Sequence, residues 1–497
     1  MATETEVKMG AWAGFELPAL DGVVEEVTAV ARTPRTLIAV YYDTPDLRLA
    51  RWGVTVRHRS GDGTGWTVKL PEGDAGPALV RRELHFEGPA GKMPAAAAAL
   101  VTAYARGTAL APVARIRTER TGVDLLDHEG ALAAEVVDDE VSVLHGGRVA
   151  ARFREVEVEL GDRAPAGLLD TVVARLREAG AGAPDSTPKV VRALGDRALE
   201  APEVTPQPLP KNPTAGQVVQ HAIAASVVRI LRHDPGVRIG DDPEDVHQAR
   251  VGTRRLRSDL RTFAPLLQEE WLAALRDELR WFGGVLGAVR DADVLSDRLR
   301  GQAAALPEPD TAGLAPLFRH MAKERDDARA ALLEAMATPR YVALLDALVA
   351  AARQPQLRSK AGAPAAEVVP TLVAAPWRKL QKAVQALPAD PPDADLHQTR
   401  IYAKRARYAA EAAAPLVGKK AARLGAALAG LQDVLGAHQD AVVAEAWLRA
   451  AVDGADPGLS LAAGELIGVQ LAEAAAHRTQ WRKAWKKASD KKLRAWL

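Results

Sequence analysis

Two carboxylates and an ammonium group stand two residues apart in Glu4-Thr5-Glu6-Val7-Lys8. In an extended segment that spacing puts all three on one face. A dry core would reject such a face, and an oxygen-seeking divalent metal with a phosphate chain is the pairing that satisfies both signs. The pattern recurs: Arg57 and Arg59 alternate with Val56 and His58, and Lys69 closes Trp66-Thr67-Val68-Lys69. Arg115 and Arg117 flank Ile116, and Glu155, Glu157 and Glu159 alternate with Val156 and Val158. Any one such strand reads equally well as half-buried with its charges in water. That reading does not account for the sorting by sign, with acidic clusters near both ends of the first 200 residues and basic pairs between them. A closed antiparallel barrel with a charged lumen does, because it makes neighbours of strands far apart in sequence.

The residue types suit one chemistry. Lys and Arg neutralise a phosphate chain, Arg with bidentate geometry. Mg²⁺ or Mn²⁺ prefers carboxylate oxygen, polarises a phosphoryl group and brings a water to it. Phosphoryl transfer is mainly positioning and charge stabilisation, so it requires no Ser or Cys nucleophile.

The N-terminal Glu4-x-Glu6-x-Lys8 is followed in order by Tyr41-Tyr42-Asp43-Thr44-Pro45, Val56-Arg57-His58-Arg59, Trp66-Thr67-Val68-Lys69 and Arg82-Glu83, then by Phe153-Arg154-Glu155-Val156-Glu157 and Pro188-Lys189-Val190-Val191-Arg192. This series resembles the CYTH domain of the triphosphate tunnel metalloenzymes over residues 1–200. The resemblance implies a tunnel through an eight-stranded barrel, with Glu4, Glu6, Glu155 and Glu157 as metal ligands. It implies phosphate contacts from Lys8, Arg57, Arg59, Lys69, Arg82, Arg115, Arg117 and Lys189, with Glu4, Glu6 and Lys8 at the catalytic centre. A further acidic residue belongs to the pattern, and both Asp138 and Asp139 match it. Glu159 matches no motif position and is expected to be structural.

The net charge of +1 over 497 residues conceals a division. Residues 1–200 hold 24 Lys and Arg against 30 Asp and Glu, and the remainder holds 41 against 34. The second part is therefore the expected polyanion surface. Cys is absent, which excludes disulfides and thiolate metal sites. No secretory signal and no continuous run of about 18 apolar residues is evident, so a cytoplasmic location without membrane contact is expected. Aromatic residues form 4% of the chain and no basic-aromatic platform appears, which argues against nucleic acid.

Five prolines between Ala201 and Pro213 mark a linker over residues 201–214. Beyond it, residues 215–497 show three-and-four spacing broken at prolines, the pattern of an all-helical domain. The expected class is α+β and multidomain: an N-terminal antiparallel barrel with flanking helices, then an all-α domain of two repeated bundles. The repeat is explicit. Val246-His247-Gln248-Ala249-Arg250 corresponds to Leu396-His397-Gln398-Thr399-Arg400, and Leu286-Gly287-Ala288-Val289-Arg290-Asp291 to Leu435-Gly436-Ala437-His438-Gln439-Asp440. From His247, Arg250, Arg254, Arg257 and Arg261 advance along one helix face, as Arg400, Lys404 and Arg407 do from His397. Aligned cations repel unless water or a polyanion screens them.

The paired His-x-x-Arg-x-x-x-Lys/Arg helices resemble the CHAD domain, the conserved-histidine α-helical domain. The resemblance implies binding of inorganic polyphosphate by His247, Arg250, Arg254, Arg257, His397, Arg400, Lys404 and Arg407. Glu411 stands where the first row has Arg261, so unequal halves are expected. The two resemblances together imply a metal-dependent hydrolase of inorganic tripolyphosphate beside a polyphosphate-binding domain, with association with polyphosphate granules. A polyphosphate-binding protein without turnover and an adenylate cyclase are the alternatives. A closing amphipathic helix with Trp481 and Trp485 packed inward is also expected.

Overall fold

The computed structural model describes residues 2–25, 27–63, 65–72, 79–453 and 457–497, with side chains except at 2–4, 79 and 309. The chain divides into two compact units, Met1–Glu203 and Val204–Leu497.

The first unit is built on strands β1 (Ala2–Ala11), β2 (Thr28–Ala31), β3 (Arg35–Asp43), β4 (Thr55–Ser60), β5 (Gly65–Pro71), β6 (Leu79–Phe86), β7 (Ala111–Leu126), β8 (Leu132–His145) and β9 (Arg148–Leu160). Short helices α1 (Arg48–Arg51), α2 (Ala95–Leu100) and α3 (Thr102–Ala105) lie between strands, and α4 (Leu168–Glu178) and α5 (Lys189–Leu194) follow them. Eight strands close in the order β7-β3-β4-β5-β6-β1-β9-β8, with β8 returning to β7. All pairings are antiparallel, and β2 continues the edge of β7 beyond β3.

The usual distribution of polarity is inverted here. Val7, Met9, Val136, Val156 and Val158 turn outward, where Phe15, Leu20 and the α4 residues Leu168, Val172 and Leu176 cover them. On β1, β8 and β9 the apolar half of the alternation thus finds its core outside the ring and the charged half is left to the lumen, whereas β3 and β7 turn Leu37, Ala39, Tyr41 and Ile116 inward. Val190 and Val191 of α5 pack against Ala39, Tyr41, Ile116 and Val141, and Pro188, Lys189 and Val190 line the lumen.

The second unit contains α6 (Ala215–Ile239), α7 (Pro243–Thr262), α8 (Glu269–Ala303), α9 (Glu308–Gly313), α10 (Ala315–Met336), α11 (Pro339–Arg353), α12 (Ala365–Gln385), α13 (Asp393–Val417), α14 (Lys419–Ala451) and α15 (Pro457–Ala488). The repeat read from the sequence is structural: α6, α7 and α8 recur as α12, α13 and α14. Their starts are chemically marked. Thr214 and Gln217 form a capping box on α6, and Asp242 accepts from the Glu244 amide at the start of α7, with Pro243 at the first turn. Trp481 is buried and Trp485 stacks on Trp377, 5.5 Å between ring centroids, so the expected inward packing of the closing helix is observed. Among the described residues α15 is also the one single helix whose length and composition would let it cross a membrane. Leu459, Ala462, Ala463 and Leu466 of that helix lie in a core with Leu299, Leu317 and Leu448.

Candidate functional site

Strand alternation decides which charges enter the lumen. Its cavity, about 220 Å³, is lined by Glu6, Lys8, Arg57, Arg59, Lys69, Arg81, Glu83, Arg120, Glu157, Glu159 and Lys189, among others. Registers bring distant segments together: Lys8 lies opposite Glu157, Glu155 opposite Asp139, Asp139 opposite Arg120, and Lys69 opposite Glu83. Glu4 pairs with Arg81 in the β1–β6 ladder, and its side chain lies outside the described residues.

One side of the lumen is a carboxylate cluster threaded by cations. Lys189 Nζ is 2.8 Å from each of Asp139, Glu155 and Glu157. Lys8 Nζ is 2.6 Å from Glu157 and 3.2 Å from Glu6. Arg120 donates to both Asp139 oxygens at 2.8 and 2.7 Å and to Glu157 at 3.2 Å. Burial pushes Glu157 up, but Lys189, Lys8 and Arg120 outweigh it and hold the carboxyl well below its usual range. Glu155 is raised, because burial outweighs Lys189 there. Burial alone would lower Lys189, yet Asp139, Glu157 and Glu155 hold it well above the usual ammonium value.

Across the lumen the basic side gathers on Glu83, which pairs with Lys69 and lies 3.5 Å from Arg57. Arg59 reaches Asp62 at 2.6 Å. Burial and the neighbouring Arg57 push its guanidinium down to about 10.

Several sequence expectations are corrected. Arg82 stands between lining residues Arg81 and Glu83 and turns to the other face, where it donates to Glu72 at 2.5 Å. Arg115 and Arg117 are likewise outward, since Ile116, Thr118 and Arg120 are the lining residues of β7. Arg117 pairs with Glu119 at 3.5 Å. Arg81 and Arg120 hold the lumen positions instead. Of the two adjacent aspartates, Asp139 joins the cluster and Asp138 pairs outward with Arg154 at 2.7 Å. Glu159, expected to be structural, lines the cavity with Glu83. The sequence signal for Arg81, Glu83 and Arg120 was the same two-residue alternation, read in the wrong phase. For any phosphate anion held in the lumen, Arg81→Gln should therefore weaken binding about tenfold, the order for a charge-assisted contact, while Arg82→Gln changes it less than about twofold. Calorimetric titration of both variants checks the assignment.

The carboxylate cluster suits a hard divalent cation in its donor chemistry. Glu6 Oε1 is buried and accepts no hydrogen bond, while Glu155 and Glu157, also buried, meet the cations of Lys8, Lys189, Arg120 and Arg192. Carboxylates left with free lone pairs are the donor type that Mg²⁺ and Mn²⁺ take. Among the described residues no group of three or more His, Cys, Asp or Glu forms a ready cage, and the ammonium groups of Lys8 and Lys189 supply the positive charge.

In the helical unit α7 and α13 enclose a second cavity of about 200 Å³, lined by Arg254, Arg257, Ser258, Arg261, Ile401, Lys404, Arg405 and Tyr408. None of these is acidic. Arg250 and Arg400 flank it and pair equivalently, with Asp291 at 2.7 Å and Asp440 at 4.0 Å. This explains the second repeated motif. Arg250 and Arg400 lie over Gly287 and Gly436, where an added Cβ would make ordinary contact with them at 3.9 and 3.5 Å. His247 and His397 do not line the cavity. Burial and Arg290 lower His247, and His397 Nδ1 is buried without a hydrogen-bond partner.

Arg407 is a further correction. It donates to Glu411 at 2.7 Å, whereas Arg405 lines the cavity. Glu411 also pairs with Arg255 at 3.1 Å. The α13 helix is thus rotated relative to its repeat, presenting residues 401 and 405 where α7 presents 257 and 261. Arg276 and Arg280, missed from the sequence, add charge from α8: burial, then Arg405 and Arg276, push Arg261 down to about 10.

Asp259, also on α7, is buried with neither oxygen hydrogen-bonded. Burial pushes its carboxyl up to about 8, against the pull of Arg255. A folded-state value above the unfolded one means the native state binds the extra proton. Stability should therefore be fullest below about pH 4 for this group and decline until about pH 8. Asp259→Asn should flatten that slope and raise the melting temperature at pH 7.5, which thermal melts across pH 5–9 would show.

A family model described as CYTH domain matches residues 2–191, and one described as CHAD domain matches residues 221–449. The chain belongs to the CYTH–CHAD proteins. Its relatives include the uncharacterized protein Rv2226 of Mycobacterium tuberculosis (strain ATCC 25618 / H37Rv), 33% identical over 467 residues, which cover 87% of this chain and 85% of the relative. Two solved structures resemble part of it. PptA from Streptomyces chartreusis is 26% identical with a TM-score of 0.46, covering 55% of this chain and 99% of that one. The CHAD domain from Ricinus communis is 30% identical with a TM-score of 0.48, covering 57% and 95%. The barrel is the CYTH unit, and the α7–α13 cleft belongs to the CHAD unit.

Proposed function

We propose that the CYTH unit is a divalent-metal-dependent hydrolase of inorganic tripolyphosphate and that the CHAD unit binds inorganic polyphosphate. The observation that carries the reading is the division of the lumen into a carboxylate cluster on β1, β8 and β9 and a basic side on β4, β5 and β6.

Arg57, Arg59, Lys69 and Arg81 would hold the phosphate oxygens, with Glu83 keeping two of these cations in place before the anion arrives. Glu6, Glu155, Glu157 and Asp139 would hold Mg²⁺ or Mn²⁺, with Glu4, two residues before Glu6 on β1, added by the sequence motif. The bound metal would polarise a phosphoryl group and lower the pKa of a water. Lys8 has three donors and faces two carboxylates, so one remains for a phosphate oxygen. Lys189 faces three carboxylates. It therefore acts in organising the cluster rather than in gripping phosphate. Pro188, Lys189 and Val190 narrow the lumen they line, which favours a linear phosphate over a bulky one.

A second reading, retention of polyphosphate without turnover, is favoured by one feature: the lysines already neutralise the carboxylates. Tripolyphosphate, ATP and long-chain polyphosphate, each with Mg²⁺ and with Mn²⁺, separate the readings. Phosphate release from tripolyphosphate supports the hydrolase, retention alone the second reading, and pyrophosphate release from ATP a cyclase. A cytoplasmic location at polyphosphate granules is part of the proposal, and imaging of the tagged protein beside stained polyphosphate tests it.

A further inference from the structure

The α7–α13 cleft places one amine among guanidinium groups. Lys404 shares its cavity with Arg254, Arg257, Arg261 and Arg405. The nearby carboxylates are engaged elsewhere, Asp291 with Arg250, Asp440 with Arg400, and Glu411 with Arg407 and Arg255. Among the described residues no carboxylate lies within ion-pair reach of Lys404.

Burial, followed by the charges of Arg254, Arg400, Arg250 and Arg405, pushes the Lys404 ammonium down to about 8. An ordinary lysine is unprotonated in only about one molecule in a thousand near pH 7.5. An amine crowded by other cations becomes a nucleophile at neutral pH. The surrounding guanidinium groups bind phosphate with bidentate geometry. Together they select an electrophile with a carbonyl to attack and a phosphate to hold.

We propose that the cleft is an acylation site, where Lys404 Nζ takes the acyl group of a small acyl phosphate held by Arg254, Arg261 and Arg405. The Nζ lone pair attacks the carbonyl carbon and a C–N bond forms. The C–O bond to phosphate breaks, its electron pair leaves with the phosphate, and the nitrogen proton passes to that phosphate or to water. The products are an amide at Lys404 and inorganic phosphate, with no oxidant or reductant required. Acylation removes one cation from the cleft. Where the cleft retains polyphosphate, a consequence that rests on the function proposed above, it would weaken that retention.

The test uses the full chain with acetyl phosphate at pH 7.5, followed by digestion and mass spectrometry. Lys404 should acetylate at least about tenfold faster than the exposed Lys483 and Lys487. Tripolyphosphate should suppress the reaction there, and Arg254→Gln should slow it. With acetylimidazole, a donor lacking phosphate, Lys404 should stay reactive while tripolyphosphate suppresses it less. Equal rates at Lys404 and Lys483 would overturn the inference, as would a suppression by tripolyphosphate that is present and equal with both donors. Polyphosphate binding is measured separately on the unmodified protein. Selective acetylation without polyphosphate binding keeps this inference and sinks the binding reading, and binding without selective acetylation does the reverse.

Discussion

Glu6→Gln is expected to cut tripolyphosphate turnover by about 10² or more, the order seen when a charged contact to a reacting group is lost, while leaving the fold intact. The reason lies in how the cluster shares its charges. Lys8 loses one partner at 3.2 Å but keeps Glu157 at 2.6 Å, so no buried ammonium is stranded. Glu157→Gln differs, because Lys8, Lys189 and Arg120 all converge on that carboxylate. It should lose turnover and, with buried cations under-compensated, about 3 kcal/mol or more of stability. Thermal melts separate the two variants. Melting of the wild type should also rise with added Mn²⁺ or Mg²⁺, and that rise should shrink in Glu6→Gln. A Glu6→Gln protein that turns over like the wild type at saturating metal would remove Glu6 from the site.

In the CHAD unit, reversing Arg254 and Lys404 together to Glu should lower affinity for long-chain polyphosphate by about 10² at moderate salt, and make its salt dependence shallower, because fewer counterions are released. Both residues line one cavity from different repeats, so the change strikes the junction of the two rows. Single variants test the observed rotation of α13. Arg405→Gln should weaken binding several-fold, whereas Arg407→Gln, which disturbs a pair with Glu411, should leave it nearly unchanged. Equal losses in these two would mean that the polyphosphate follows the sequence row rather than the cleft. Affinity should also fall as pH rises through about 8, where Lys404 gives up its proton. Proton uptake on binding, measured in buffers of different ionisation enthalpy, reports that linkage directly.

Much of this protein was legible without coordinates, for a physical reason. Charges alternating with Val on Glu155-Val156-Glu157-Val158-Glu159 require two unlike environments at a strand's two faces, whichever way the strand turns. Likewise, two His-x-x-Arg helices with matching downstream Leu-Gly-Ala motifs require two copies of one packing unit, because the same residues must meet in each. Charged-lumen barrel and helical repeat follow from such local constraints. Tertiary structure alone decided the phase. Alternation states that Arg81 and Arg82 face opposite ways, but only the closed ring shows Arg81 in the lumen and Arg82 outside it with Glu72. The same choice brought Arg120 inward rather than Arg115 or Arg117, and Asp139 rather than Asp138. In the helices, three-and-four spacing defines a stripe, but packing sets its rotation. Glu411 drew Arg407 and Arg255 to itself, and Arg405 was left facing Arg254 and Arg261 across the cleft. A charge's sign belongs to the sequence; which charges share a cavity is settled by the surfaces that must be buried around it.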